Sequence, residues 1–237
     1  MQIDTIILAG GKGTRLSGLL PDIPKPMAPI NGIPFLDILL SQLNTCPHIT
    51  KVILAVGYKS ETIISRYKTS IAYNFSILFS EEKSPLGTGG AIKKASALAN
   101  TEDVLVLNGD SYIDLDIERL INSHISDKAA ITVVLKKLSG ANRYGNVKVD
   151  ERRRIISFEE KNGLNHTGLI NAGVYLVKRN LFSGVDEDHE ISLERQILPD
   201  LIKSGMYGYI ADGAFIDIGI PADYKRAQTE LAGHIIR

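Results

Sequence analysis

The sequence has no tryptophan and a single cysteine, Cys46. A lone cysteine excludes an intrachain disulfide and a zinc site built on cysteine pairs. The five histidines, at 48, 124, 166, 189 and 234, lie too far apart to supply a local ligand pair, which argues against a histidine-rich metal centre. Charge of one sign is missing as well, because 27 basic residues balance 27 acidic ones. No overall field favours a nucleic acid, although a local basic pocket can still hold a small phosphate ligand. No apolar run approaches the roughly 18 residues of a membrane span, and Met1 to Leu8 lacks the cationic and apolar regions of a secretory leader. A cytoplasmic protein with neither membrane nor nucleic acid as partner is expected. Nothing locates an oligomer interface, so a homo-oligomer stays open.

What is present suits a globular protein: 44% of residues are hydrophobic and 23% charged, enough to bury a full core. No linker-like or low-complexity stretch divides residues 1–237, so a single domain is expected. Thr5 to Ala9, Val52 to Val56, Phe75 to Phe79 and Val104 to Leu107 read as strands that are mostly apolar throughout. Phe35 to Leu43, Glu61 to Lys68 and Thr88 to Leu98 read as the helices between them. This alternation predicts an α/β fold with a doubly wound, mostly parallel, Rossmann-like sheet, whose ligands sit at the carboxyl ends of the strands. Beyond about residue 128 the segments shorten. Ile131 to Lys136, Asn146 to Val149, Ile155 to Glu159 and Asn171 to Val177 predict a smaller mixed or antiparallel portion. A helix from Ser192 is expected to kink or split at Pro199. Ile210 to Ile218 reads as further strand, and Pro221 as the start of a last helix.

The first strand runs directly into Leu8-Ala9-Gly10-Gly11-Lys12-Gly13-Thr14-Arg15-Leu16. Glycines in such a place let the backbone approach a phosphate and aim N–H groups at it. Two standard phosphate loops do not fit. A Walker loop needs Ser or Thr after Gly-Lys, where this chain has Gly13, and the dinucleotide fingerprint needs a third glycine where Leu16 stands. Taken alone, the cluster is equally a tight strand-to-helix turn. In Pro24-Lys25-Pro26-Met27 two prolines stiffen the backbone around one lysine, as a fixed phosphate-binding charge requires.

Together, Leu-Ala-Gly-Gly-x-Gly-Thr-Arg-Leu followed by Pro-Lys-Pro-Met resembles the signature of the sugar-1-phosphate nucleotidyltransferases, and further matches run along the chain in the family's order. The resemblance implies that residues 1–127 mainly bind nucleotide and residues 128–237 mainly bind sugar. The loop from Leu8, Ala9, Gly10, Gly11 and Gly13 through Thr14 would wrap the nucleotide phosphates. Arg15 would promote pyrophosphate departure, and Lys25 would contact phosphate. Asp110 of Asn108-Gly109-Asp110 and Asp217 of Phe215-Ile216-Asp217-Ile218-Gly219 correspond to the family's Mg²⁺ ligands. Two carboxylates suit that ion, which completes its octahedron with phosphate oxygens and water. The family often carries Thr where this chain has Ile220.

Glu160 and Lys161 match the Glu-Lys motif, whose glutamate binds sugar hydroxyls and whose lysine binds the sugar phosphate. Gly145, Asn171 and Asn108 would lie on the sugar-phosphate side. Pro85 to Ala91 would receive the base, with Gly87 and Thr88 close to it and Glu82 accepting base N–H groups. A carboxylate can accept from both N1–H and N2–H₂ of guanine, whereas uracil offers one such donor, so GTP is favoured. Within the family the chain most resembles the bacterial D-glycero-D-manno-heptose 1-phosphate guanosyltransferases. The expected catalytic set is Arg15, Lys25, Asp110, Lys161 and Asp217, the expected substrates GTP and a sugar 1-phosphate. Rival readings are a mannose-1-phosphate guanylyltransferase, a hexose-1-phosphate uridylyl- or thymidylyltransferase, and a non-catalytic nucleotide or sugar-phosphate sensor on the same fold. No room is expected for an appended second catalytic domain.

Overall fold

A computed structural model describes residues 1–16, 18–139, 144–159, 167–186 and 189–234. Among the described residues, nine strands form one sheet. Its parallel half comprises β1 (Ile3–Ala9), β4 (Ile49–Val56), β5 (Ser76–Glu81) and β6 (Asp103–Asn108), with β1 between β4 and β6 and β5 at the edge. β1, β4 and β6 are buried almost throughout, as continuous apolar runs require when helices cover both faces. The edge strand β5 instead alternates between exposed and half-buried positions as far as Phe79, with Ser80 buried.

The successive helices α1 (Phe35–Asn44), α2 (Ser60–Tyr67) and α3 (Gly87–Ser96) connect these strands within two residues of the expected boundaries. α1 and α2 pack on one sheet face with α4 (Ile117–Ser126) and α6 (Pro221–Glu230), while α3 packs on the other with the segment around Leu193 and Leu198. β1 feeds both cores by alternation: Ile3 and Ile7 enter one and Ile6 the other.

The second half joins this sheet through β11 (Thr167–Lys178), antiparallel to β6. β11 also pairs antiparallel with β8 (Ile131–Ser139) and touches β9 (Asn146–Val149), which pairs with β10 (Ile155–Glu159). β12 (Met206–Ala211) lies parallel to β8. The mixed portion is therefore a continuation of the parallel sheet.

One expectation needs correction. Ile210 to Ile218 is not one strand: β12 ends at Ala211, and β13 (Phe215–Asp217) pairs in a separate two-stranded sheet with β7 (Ser111–Ile113). The break falls at Gly213, where a Cβ would stand 1.9 Å from the Asp114 carbonyl, too close for any side chain. The helix expected from Ser192 is a π-helical turn at Leu193–Ile197 followed by α5 (Leu198–Leu201), divided near Pro199 as anticipated. α4 was not anticipated, although buried Ile117, Leu120, Ile121 and His124 have helical spacing. The short hairpin β2 (Pro29–Ile30) and β3 (Ile33–Pro34) was also missed.

Candidate active site

The site forms where β1 and β6 end side by side, at the carboxyl edge of the parallel strands. The Gly109 amide donates to the Leu8 carbonyl at 3.0 Å, and a Cβ at position 109 would stand 2.5 Å from that oxygen. Only glycine permits this approach, which places Asp110 beside the glycine loop. A Cβ on Gly10 would stand 2.7 Å from Glu82 Oε1, so this glycine admits the carboxylate. Gly13 is left-handed, with φ +60°, and the position its Cβ would take is 2.9 Å from Lys25 Cβ. Lys25 thus packs directly on the loop.

A cleft of about 990 Å³ opens here. It is lined by Leu8, Gly10, Gly11 and Gly13 of the glycine loop, by Glu82, Gly87 and Thr88, and by Lys25, Asn108 and Asp110. Glu82 accepts from the Leu86 amide at 3.2 Å. Burial pushes its carboxyl above the ordinary value, against the lowering effects of the Leu86 amide and Lys94. Gly87, with φ +68°, turns the chain into α3, and a Cβ there would stand 2.4 Å from the Ile191 carbonyl. The Asn108 side-chain oxygen is buried without a hydrogen-bond partner, an acceptor available to a donor from a ligand.

A smaller cavity of about 250 Å³ adjoins the cleft, sharing Gly13, Lys25 and Asp110 with it and adding Thr14, Arg15, Asp217 and Gly219. Lys25 Nζ donates to Asp110 Oδ2. The Ile218 amide donates to the Asp110 carbonyl at 2.9 Å, which brings the end of β13 against the end of β6. The Gly219 amide, at 2.7 Å, orients Asp217 Oδ1. Burial, and then the charge of Asp110, raise the Asp217 carboxyl above its ordinary value, while Lys25 and the Gly219 amide oppose them. Two carboxylates that repel each other in a half-buried cavity form a donor set suited to a divalent cation. Among the described residues, no group of three or more His, Cys, Asp or Glu could hold a metal ion. A pair is sufficient for an ion that takes its other ligands from phosphate and water.

Neither cavity is lined by Ala9, Gly145 or Asn171. Asn171 sits at a register shift between β11 and β8, where Gly173 has φ +76°. There its Oδ1 accepts from the Gly173 amide at 2.9 Å and its Nδ2 donates to the Tyr175 hydroxyl at 2.8 Å. Asn171-Ala172-Gly173 is therefore a β-bulge that turns this part of β11. Gly145 precedes β9, and a Cβ on it would stand 2.9 Å from the Glu159 carbonyl. Glu160 and Lys161 lie outside the described residues, as does Arg143.

The sequence reading missed the wall formed by residues 190–196. Glu190, Ser192, Glu194, Arg195 and Gln196 line the cleft. Glu194 Oε2 accepts from Thr88 Oγ1 at 2.8 Å and from Ser192 Oγ at 3.2 Å, and its Oε1 accepts from the Tyr175 hydroxyl at 3.2 Å. Thr88 Oγ1 in turn accepts from the Leu193 amide at 2.7 Å. One carboxylate thus joins the start of α3 to β11. Nothing local in Ser-Leu-Glu-Arg-Gln announces this, because its partners come from distant segments. Tyr58, another wall residue that was missed, follows β4 and donates its amide to the Gly10 carbonyl at 3.1 Å.

A glycine loop, fixed cations and paired carboxylates at one strand edge define a phosphate-handling α/β enzyme site, and comparison with known proteins agrees: the chain belongs to the nucleotidyl transferase family, which matches residues 4–233. It is 42% identical over 98% of its length to the whole of the D-glycero-alpha-D-manno-heptose 1-phosphate guanylyltransferase of Aneurinibacillus thermoaerophilus. It is 35% identical over 97% of its length to the mannose-1-phosphate guanylyltransferase of Mycobacterium tuberculosis, covering 65% of that protein. Among solved structures, HddC from Yersinia pseudotuberculosis superposes with a TM-score of 0.82 at 35% identity, covering 96% of this chain and 98% of that one. HddC has also been solved complexed with GMP-PN.

Proposed function

We propose that the protein transfers GMP from GTP to D-glycero-α-D-manno-heptose 1-phosphate, giving GDP-heptose and pyrophosphate. The observation that carries this reading is the convergence of Arg15, Lys25, Asp110 and Asp217 on one cavity that continues into the cleft holding Glu82. Identity of 42% to guanylyltransferases named for this heptose supports the choice of sugar and base.

The sugar phosphate oxygen attacks the α-phosphorus of GTP in line. A new P–O bond forms, the bond between the α-phosphorus and the α,β-bridging oxygen breaks, and pyrophosphate leaves with that electron pair. The attacking oxygen is already anionic, so no general base is needed. The obstacle is electrostatic: two polyanions must approach, and charge grows on the leaving group. The glycine-loop amides cradle the triphosphate, with Arg15 facing the departing pyrophosphate. Lys25, held between Gly13 and Asp110, supplies a cation at a fixed place. Lys161 serves the sugar phosphate, and Glu160 serves the sugar. Asp110 and Asp217 would hold Mg²⁺, which when bound neutralises phosphate charge and orients the phosphoryl oxygens. Glu82 accepts from the guanine edge, and its partly buried carboxylate makes an unmatched base costly.

These substrates are cytosolic, and we assign the protein to the cytoplasm. Among the described residues, no helix is long and apolar enough to cross a membrane.

Pyrophosphate release with Mg²⁺, across GTP, UTP, dTTP, CTP and ATP against the 1-phosphates of D-glycero-D-manno-heptose, mannose, glucose and N-acetylglucosamine, tests this reading. Highest kcat/KM for GTP with the heptose is expected. A dominant GTP and mannose pair would move the sugar assignment to mannose, in line with the Mycobacterium tuberculosis relative. No turnover with any pair, from folded protein that binds nucleotide, would replace the enzyme by a sensor.

A further inference from the structure

Lys25 lies in a stiff unit. Pro24 and Pro26 flank it, the Met27 amide donates to the Pro24 carbonyl at 2.8 Å, and the Ala28 amide donates to the Lys25 carbonyl at 3.0 Å. Such a unit moves as a body, so Nζ is aimed by whatever holds its ends. On one side Lys25 packs against Gly13. On the other the unit runs directly into the β2–β3 hairpin, which is gripped by α6 from the far end of the chain. The Tyr224 hydroxyl and Gln228 Nε2 both donate to the Pro29 carbonyl, at 2.7 Å and 3.0 Å. The Asn31 amide donates to Gln228 Oε1 at 2.8 Å, and Asn31 Nδ2 donates to the Gln228 carbonyl at 2.6 Å. Asn31 accepts a left-handed backbone, with φ +48°, at this junction.

The same helix also contacts the strand that carries Asp217, another residue of the small cavity. Pro221 opens α6 four residues after Asp217, and Arg226 Nη2 donates back to the Phe215 carbonyl in β13 at 3.4 Å. α6 therefore touches both the strand that ends in Asp217 and the hairpin that follows Lys25.

We infer that α6 is part of the catalytic apparatus: Tyr224 and Gln228 are positioning residues that set where Lys25 Nζ stands relative to Asp110 and Asp217. Neither residue lines the cleft or the small cavity, so they act through Lys25 and not on substrate. The inference rests on the phosphate-binding role proposed for Lys25.

The test compares Tyr224→Phe, Gln228→Ala and their combination with the unaltered enzyme and with Lys25→Met. Readouts are kcat and KM for both substrates, affinity for a fluorescent GTP analogue, and Tm. The paired variant is expected to lose about ten- to hundredfold in kcat, the scale of a misplacement of roughly 1 Å. Nucleotide affinity should fall no further than it does in Lys25→Met, because the base pocket does not touch α6. Tyr224→Phe removes one hydroxyl and leaves the three Gln228 contacts, so it stays folded and should show a smaller kcat loss of the same kind. Added to Lys25→Met, which should itself be about a hundredfold slower, the pair should cost less than about twofold more, since an absent ammonium cannot be misplaced. A lower Tm with unchanged kcat in both Tyr224→Phe and the pair, or a full additive loss on top of Lys25→Met, overturns the inference and leaves the proposed reaction standing. Full activity of Lys25→Met overturns both.

Discussion

The Ile218 amide donates to the Asp110 carbonyl at 2.9 Å, and this backbone contact holds together the two acidic strand ends of the site. Asp110 follows β6 and Asp217 ends β13, so the contact lets their side chains share the small cavity while Lys25 is bound to the former. A rigid backbone link between two like charges sustains a repulsion that a bound divalent cation would relieve.

Asp110→Asn removes a charge from both the proposed metal pair and the Lys25 contact. Turnover is expected to fall by about two orders of magnitude or more, the scale for losing one key electrostatic group. Tm should change little, because the carboxylate is partly exposed. Pyrophosphate release under saturating substrates measures it, and near-normal turnover would falsify the metal assignment.

For Asp217 the sign of the pH effect follows from burial and the neighbouring Asp110 charge, which raise its carboxyl above the ordinary 3.8. Between 3.8 and the raised value, the folded protein holds a proton that the unfolded chain has released. Stability is therefore lost as pH rises through this window, and above it the folded protein carries the full cost of the ionised group. Asp217→Asn should raise Tm of the chelator-treated protein at neutral pH, and the gain should shrink as pH falls toward the ordinary value. Melting curves across pH decide this; a difference that does not depend on pH would contradict it.

Glu82→Gln should relax base choice. If Glu82 accepts two guanine N–H groups, loss of the charged acceptor costs about 1.5–3 kcal/mol, a drop of roughly ten- to a hundredfold in kcat/KM for GTP. UTP, with one such donor, should be affected less. Equal losses for both nucleotides would assign Glu82 to loop structure, through its contact with the Leu86 amide.

Ile220 is the residue before α6, in extended conformation, and offers no side-chain cap to the helix. Apolar residues are poor at this position, and Thr can accept from the open first-turn amides. Ile220→Thr is expected to stabilise the protein by about 1 kcal/mol, or about 2–4 °C in Tm. An unchanged or lower melting temperature would show that Ile220 packing outweighs the cap.

Much of the parallel half was legible because a buried parallel strand must be apolar along its whole length. β1, β4 and β6 carry that signature, and the glycines after β1 mark where the backbone must come close to other atoms. β9 and β10 were found with their observed bounds because they are short, with clear interruptions on either side. The residues from 210 to 218 misled, since an apolar run does not reveal that its two ends pair in different sheets.

By itself, the sequence determined the class of sheet and the glycine loop, because each depends on local composition and spacing, while the acidic and cationic residues were singled out only by the resemblance of their motifs to the family. Only the tertiary structure decided that Glu194 joins Thr88 to Tyr175, that Asn171 closes a bulge, and that α6 grips the hairpin beyond Lys25. Those are contacts between segments far apart in the chain. A polar side chain carries no local mark of which distant donor or acceptor will meet it, so its partner is chosen only when the sheet and helices have packed.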